Sequence, residues 1–156
     1  MEGADEGSAF ELGTDGPRSI VVGVDGSPAS LRAGAYAAGL ARRQRSRLTV
    51  VFARSLGPTA PAAYDPSGAA LTAHTGKMDS VERELREQIE RTAWAVDAHL
   101  EVRTGPPAAV IIALAEEVMA EVIVVGCSRR AAFLLPRGPI PVQLIRARRW
   151  PVIVVP

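Results

Sequence analysis

The sequence predicts an α/β domain in which the parallel strands of one open sheet alternate with helices on both faces. Three observations lead to this prediction. Short runs of β-branched residues, bounded by turn residues, recur along the chain and are typical of strands buried on both faces. Segments with helical periodicity separate these runs, as in βαβ units with right-handed crossovers. The length, 156 residues, suits one domain with a substantial core.

Composition and charge are those of an ordinary globular protein. The hydrophobic fraction is 47%, the charged fraction is 22% and the net charge is +1, so nothing draws the chain as a whole to nucleic acid or to an acidic membrane. The apolar runs are too short to span a bilayer, and the acidic amino terminus does not resemble a secretory signal. A single cysteine, Cys127, excludes an internal disulfide framework. We therefore expect a cytoplasmic protein without nucleic-acid or membrane partners.

Charge is distributed unevenly along the chain. Residues 1–17 are rich in glycine and acids with little periodicity, and we predict that they form a disordered acidic tail before a domain at 18–156. From Val122 onward every charged residue is an arginine. These features have two interpretations: a solvated tail with a basic helix end, or a set of arginines of which some face an anion.

The first strand is predicted at residues 19–25. Ser27 can cap the following helix, and Pro28 suits its first turn because a proline there sacrifices no helical hydrogen bond. That helix, at about 28–45, consists mostly of alanine and glycine, which permits close approach to the sheet. It ends in the arginine-rich stretch 42–45, where positive charge complements the helix dipole.

A second buried strand is predicted at 48–53. Prolines and glycines then mark 54–77 as a long irregular connection. A helix is expected to begin at Asp79 or Ser80, with Glu82 placed for a capping box. The outer face of this helix carries acid–arginine pairs spaced as on a solvated surface, namely Glu82 with Arg86 and Glu87 with Arg91.

The second half of the chain repeats the same alternation. Residues 99–103 alternate in polarity like an edge strand, and the prolines that follow end it. The remaining predicted elements are a helix at 108–120, a buried strand at 121–126, a loop at 127–138, a short helix at 140–148 and a final strand at 151–155.

Two strand ends carry residues suited to a ligand site. Asp25-Gly26-Ser27 follows the first strand, and Gly126-Cys127-Ser128-Arg129 follows the fourth. Open α/β sheets bind ligands outside the carboxyl ends of their strands, where a helix amino terminus can also face an anion. The sequence therefore predicts a nucleotide-type site at this edge of the sheet.

Three blocks of the sequence resemble the universal stress protein family. Residues 21–27 with the small-residue helix look like the opening of such a domain, residues 113–128 like its third helix and fourth strand, and residues 146–156 like its last strand. The resemblance covers about 18–156. It implies five parallel strands in the order 3-2-1-4-5, as in adenine nucleotide alpha hydrolase-like folds. It also implies a stress-response role and a homodimer paired through the last strand.

The resemblance also implies a choice, since some members of the family bind ATP and others do not. The binders carry Gly-x2-Gly-x9-Gly-Ser/Thr after the fourth strand. Here Gly126 fits the first glycine, Arg129 replaces the second, and Gly138 arrives one residue early as the third, followed by Pro139 in place of the hydroxyl residue. Other predicted binding residues match better: Asp25 corresponds to the acid near the nucleoside and Ala53 to the position that lines the adenine side.

These departures predict a degenerate site. Glycine lets backbone approach a phosphate closely, whereas Arg129 either fills that space or supplies charge in its place. Pro139 removes a hydroxyl and a backbone N–H. Losing two or three donors at roughly 1.5–3 kcal/mol each weakens binding by orders of magnitude, although nearby arginines can restore part of it. No cofactor is expected at high affinity, and ATP stays possible at Asp25, Ala53, Gly126, Ser128, Arg129 and Gly138.

Catalytic and metal sites are not expected. Cys127 has no histidine close by in the sequence, His74 and His99 lack ligand spacing, and no P-loop motif is present. The preferred hypothesis is a non-enzymatic protein that acts through dimerisation and an unidentified protein partner. The alternative is a regulator in which an adenine nucleotide sets the conformation of the 127–138 loop. Slow ATP hydrolysis is a weaker idea, because no base or metal cluster is positioned for it.

Overall fold

The structure is a computed structural model that describes residues 16–54, 68–127 and 138–156. Most of the predicted acidic tail therefore lies outside the described residues, as do Ser128 and Arg129. Strands and helices alternate along the described chain. They are β1 (Ser19–Gly23), α1 (Pro28–Gln44), β2 (Arg47–Arg54), α2 (Ala69–Thr92), β3 (Ala98–Thr104), α3 (Pro107–Glu117), β4 (Val122–Gly126), α4 (Ile140–Ala147) and β5 (Val152–Val155).

The five strands form one parallel sheet in the order β3-β2-β1-β4-β5. Strand β1 lies at its centre, where Val22 is in register with Val50 of β2 and Val124 of β4. A central strand covered on both faces needs apolar side chains in both directions, and Ile20, Val21 and Val22 are fully buried. The predicted fold class and strand order are confirmed.

Helices cover both faces of the sheet. Successive residues of a strand point to opposite faces, so Ile20 and Val22 pack beneath α1 and α2, whereas Val21 packs beneath α3 and α4. Helix α1 approaches its face closely because its inward positions are alanines. Three of them are at most 1% exposed, namely Ala33, Ala37 and Ala41.

The predicted signals of α1 are confirmed at both ends. The Ser27 hydroxyl accepts a hydrogen bond from the N–H of Ser30 at 3.3 Å, and Pro28 is the first helical residue. The helix ends at Arg45, which adopts the left-handed conformation and donates its N–H to the carbonyl of Ala41. Two arginines lie in the last turn, beside the negative end of the helix dipole.

The prediction for the start of α2 is wrong. The helix begins at Ala69, inside the stretch expected to be irregular, and not at Asp79 or Ser80. Alanine and leucine are strong helix formers, and one glycine costs a helix only about 1 kcal/mol, so the single Gly76 does not break the helix. Within the described residues no helix combines the length and the apolarity that a membrane crossing requires.

Candidate functional site

A cavity of about 100 Å³ lies at the carboxyl edge of the sheet. The chain winds outward from β1 to β3 and then returns to β4, so β1 and β4 leave the sheet toward opposite faces. Such a reversal of winding opens the crevice that binds ligands in α/β folds. The cavity wall is formed by the ends of three strands, β1, β2 and β4, and by the first turns of three helices, α1, α3 and α4. Its residues include Asp25, Ser27, Ala53, Ile111, Gly126, Cys127, Pro139 and Ile140.

A tight turn after β1 holds Asp25 at the rim of the cavity. The N–H of Ser27 donates to Oδ1 of Asp25 at 2.9 Å, and the N–H of Asp25 donates to Oγ of Ser30 at 3.1 Å. Gly26 adopts a φ of +81° within this turn, and a Cβ there would lie 2.8 Å from a methyl group of Val81 on α2. The same turn therefore caps α1 and orients the carboxylate.

The Asp25 carboxylate is held in its ionised form. Partial burial acts to raise its pKa, but hydrogen bonds from the side chain and backbone of Ser27, and from Ser30, outweigh burial and lower the pKa below its usual 3.8. An ionised carboxylate only accepts hydrogen bonds. It therefore suits a ligand group that donates them, such as the hydroxyls of a ribose, and it repels phosphate oxygens.

The floor of the cavity is apolar. Val51 and Ala53 of β2, Val125 of β4 and Ile111 of α3 line it. The small side chain of Ala53 leaves this side open to a flat, apolar group. The volume is nonetheless below the roughly 300–1,000 Å³ of most small-molecule sites, so the described walls enclose only part of a nucleotide.

Arg54, directly after Ala53, is engaged by α2. Its guanidinium lies 2.6 Å from Oδ1 of Asp79 and 2.9 Å from Oε2 of Glu82. Hydrogen bonds to these two carboxylates raise the pKa of Arg54. Glu82 is paired with Arg86 as predicted from the sequence, but it does not form the predicted capping box, because the helix begins earlier. The positive charge of Arg54 is therefore already balanced by Asp79 and Glu82, so Arg54 is not available to bind an anionic ligand.

Gly126 is enclosed by the backbone of α1. A Cβ on this residue would lie 2.5 Å from the carbonyl carbon of Ala29 and 2.6 Å from the nitrogen of Ser30. The next residue, Cys127, donates its N–H to the carbonyl of Val155 at 2.8 Å and is half-buried. Glycine is thus required here by packing, whether or not a phosphate lies nearby.

The first turn of α4 offers few hydrogen-bond donors. Pro139 is the N-cap and Pro141 the second helical residue, and neither has a backbone N–H. The N–H of Gln143 already donates to the carbonyl of Pro139, which leaves those of Ile140 and Val142. A helix amino terminus binds anions through such free N–H groups, so this one is a poor phosphate site.

A profile of the universal stress protein family matches residues 17–156. The chain belongs to this family. Structures of two members are similar at the level of the fold: one from Burkholderia pseudomallei (24% identity, TM-score 0.63, 89% of this chain and 96% of that chain) and UspA from Lactobacillus plantarum (20%, 0.69, 88% and 97%). A universal stress protein solved in complex with cAMP is 28% identical, with a TM-score of 0.56 over 89% of this chain and 96% of that one. No curated protein matches this universal stress protein.

The structure brings three of the predicted site residues together. Asp25, Ala53 and Gly126 all line the cavity of this universal stress protein. Gly138 adopts the positive φ expected of a special glycine, +80°, but its carbonyl accepts a hydrogen bond from Gln143 and the residue is not part of the wall. Ser128 and Arg129 lie outside the described residues, so their predicted roles stay predictions.

Sequence reasoning missed the contribution of α3. Pro107 and Ile111, in its first two turns, form the wall opposite α1. The signal was available, since a helix that follows a strand of a parallel sheet begins at the carboxyl edge. Across the described parts of the chain, histidine, cysteine and acidic side chains form no group that could hold a metal ion.

Proposed function

We propose that this universal stress protein is a cytoplasmic, non-enzymatic stress-response protein that acts through a second copy of itself and a protein partner. Its carboxyl-edge cavity binds the nucleoside part of an adenine nucleotide and holds the phosphates weakly. The main observation behind the weak phosphate binding is that two prolines at the start of α4, Pro139 and Pro141, line the cavity.

The nucleoside half of the site is supported by its chemistry. Asp25 offers an oriented, ionised acceptor for hydroxyl donors. Val51 and Ala53 offer an apolar surface for a base. These groups recognise a sugar and a ring without requiring any phosphate, so adenosine is expected to bind nearly as well as ATP.

The phosphate half lacks donors. Pro139 and Pro141 each remove one N–H that could point at an anion. Hydrogen bonds to charged groups contribute roughly 1.5–3 kcal/mol each, so two missing donors correspond to about 3–6 kcal/mol, or a factor of about 10²–10⁴ in affinity. This loss is the physical reason for expecting no tightly held cofactor.

Calorimetric titration tests the proposal. For the unmodified protein we expect weak and similar binding of ATP, ADP and adenosine. The double substitution Pro139→Ser with Pro141→Ala restores two N–H groups, and it should tighten ATP by about tenfold or more while leaving adenosine unchanged. The control is Pro106→Ala, at the N-cap of α3 and outside the cavity wall. Tight binding of ATP by the unmodified protein, or no gain in the double variant, would contradict the proposal.

The proposed homodimer uses the free edge of β5. The carbonyls of Pro151 and Val155 accept hydrogen bonds from β4, so the alternate residues Val152 and Val154 direct their backbone groups away from it. Val154 is 39% exposed, and an apolar edge of this kind favours pairing with another strand. Helix α4, which packs on β5, also exposes two apolar side chains, Val142 and Ile145.

The substitution Val154→Pro tests the dimer. Proline removes the outward N–H without breaking the bonds to β4, so a folded monomer is expected by light scattering. The matched control, Val154→Thr, keeps both the N–H and the branched side chain, and it should stay dimeric. A monomeric unmodified protein at tens of micromolar, or a dimeric proline variant, would exclude pairing through β5.

The second candidate function is a nucleotide-controlled regulator. It is favoured by the similar universal stress protein solved with cAMP, whose identity to this chain is 28%. Because cAMP carries a single, cyclic phosphate, its affinity for this chain would depend mainly on the nucleoside half of the site. Micromolar binding of cAMP that is lost in Asp25→Asn would support this function, and millimolar binding would exclude it.

A further inference from the structure

A second and larger cavity, of about 450 Å³, lies between α1 and α2. Its floor is the sheet, where Leu48 and Val50 of β2 and Ala98 of β3 face the two helices. Among the described residues that line the two cavities, only Val24 is common to both. The second cavity is therefore separate from the site at the carboxyl edge.

The cavity exists because one of its walls is made of small residues. Helix α1 presents Gly34, Ala35 and Ala38 to the space, and the opposing residues of α2, Leu85 and Ile89, do not reach across it. The space is an open groove: Leu31 and Arg91 at its mouth are exposed, whereas Leu48 below them is buried. An apolar groove with a few polar groups at its rim has the character of a binding site. A cavity of 150 Å³ suffices for benzene, and this one is about three times larger.

The cavity is elongated along α1. Its wall extends from Leu31 to Ala38, which at 1.5 Å per residue is about 10 Å. The deep part, at Leu48, Val50 and Leu85, is formed by buried apolar side chains. A narrow, flexible, apolar group therefore fits the space better than a broad rigid one.

The polar groups of the cavity are confined to one side, on α2. Arg91 is the only charged residue in its described wall, and the Gln88 amide beside it has no hydrogen-bond partner within the described chain. Arg91 donates from Nε to the backbone carbonyl of Glu87 at 3.1 Å, and its Nη2 lies 3.6 Å from the Glu87 carboxylate. Both side chains are more than half exposed, so this ion pair is weak. A ligand carboxylate can compete with Glu87 for the guanidinium and accept a hydrogen bond from Gln88.

We infer that the cavity between α1 and α2 binds a linear aliphatic monocarboxylate with a tail of about ten carbons. The tail lies along Gly34 and Ala38 above β2, and the carboxylate meets Arg91 and Gln88 at the rim. The division of the wall into an apolar floor and one cationic side supports this class of ligand. The inference is independent of the nucleotide site, because the two cavities share only Val24 among the described residues that line them.

Titration with dodecanoate below its micelle concentration tests the inference. We expect saturable binding, with dodecanol weaker and dodecyltrimethylammonium weakest, because the rim is cationic. Ala38→Leu fills the cavity and should weaken dodecanoate by about tenfold or more. The control Ala109→Leu makes the same change at an exposed position of α3, on the other face of the sheet, and should have no effect. No binding, or equal binding by both variants, would overturn the inference.

Two further measurements locate the ligand. Glu87→Gln removes the carboxylate that competes for the Arg91 guanidinium, so it should tighten dodecanoate but not dodecanol. Arg91→Gln should weaken dodecanoate and leave dodecanol unchanged. In methyl NMR spectra of the unmodified protein, dodecanoate should shift Leu85 and Val96 and leave Ile111, in the first cavity, unchanged. Shifts at Ile111 without shifts at Leu85 would place the ligand elsewhere and refute the inference even if Ala38→Leu does not fold.

Discussion

Gly126 at the end of β4 and Ala29 in the first turn of α1 meet backbone to backbone. A Cβ on Gly126 would lie 2.5 Å from the carbonyl carbon of Ala29, and backbone atoms cannot rotate out of the way as a side chain does. This contact sets how closely the exits of β1 and β4 approach each other. It therefore determines the width of the carboxyl-edge cavity, which has Gly126 and Ser27 in its wall.

Gly126→Ala is expected to destabilise the protein, because either β4 or α1 must move to admit the methyl group. Overpacking of this kind costs roughly 1–3 kcal/mol in the free energy of unfolding, measurable by urea denaturation. Gly76→Ala is the control: it lies in α2 with open space around it, and it should be neutral or stabilising by up to about 1 kcal/mol. Equal stability of the two variants would refute the role of the contact.

Asp25→Asn should reduce stability in a pH-dependent way. The pKa of Asp25 in the folded protein lies below 3.8, although burial acts to raise it, because hydrogen bonds from Ser27 and Ser30 prevail. A lowered folded-state pKa contributes stability above the unfolded pKa, and this contribution disappears as the pH falls through the folded pKa. The difference between the two proteins in urea should therefore be largest at neutral pH and shrink below pH 3.8. A difference that is constant with pH would contradict this account.

Ala37→Leu is expected to cost about 1–3 kcal/mol in the free energy of unfolding, since Ala37 is fully buried against the sheet and α1 must lift to admit the larger side chain. Thermal unfolding followed by circular dichroism measures the effect. Ala109→Leu, exposed on α3, should change the midpoint little. Equal melting temperatures of the two variants would contradict the claim that the buried alanines of α1 allow the helix to pack closely on the sheet.

Arg54→Met should lower the melting temperature slightly by removing the ion pairs that join β2 to Asp79 and Glu82 of α2. Pairs at the surface are screened by salt, so the difference from the unmodified protein should diminish in molar sodium chloride. Arg86→Met removes only the pair within α2, so hydrogen exchange around residues 79–82, in the middle of that helix, should respond less to it than to Arg54→Met. A loss of stability that is independent of salt would indicate lost packing of the arginine stem.

Local patterns were sufficient for most of the fold. Continuous β-branched runs such as 20–22 and 122–125 identify central parallel strands, and Ser27 followed by Pro28 identifies the start of α1, because each signal depends on neighbours in the chain. The start of α2 lies earlier than predicted because Gly76, one of the glycines in the stretch 54–77, does not end a helix: a single glycine costs a helix only about 1 kcal/mol.

For the sites, the amino-acid sequence alone identified Asp25 after β1 and Gly126 at the end of β4 as members of one edge, since parallel strands end together. The position of Ala53 beside them came from the resemblance to the universal stress protein family. The sequence did not determine that Gly126 presses on Ala29, that α4 begins with prolines turned toward the cavity, or that α1 and α2 leave a space between them. Each of these features depends on the distance between segments far apart in the chain. Such distances are set by the volumes of all the side chains packed between the segments, and no local pattern records them.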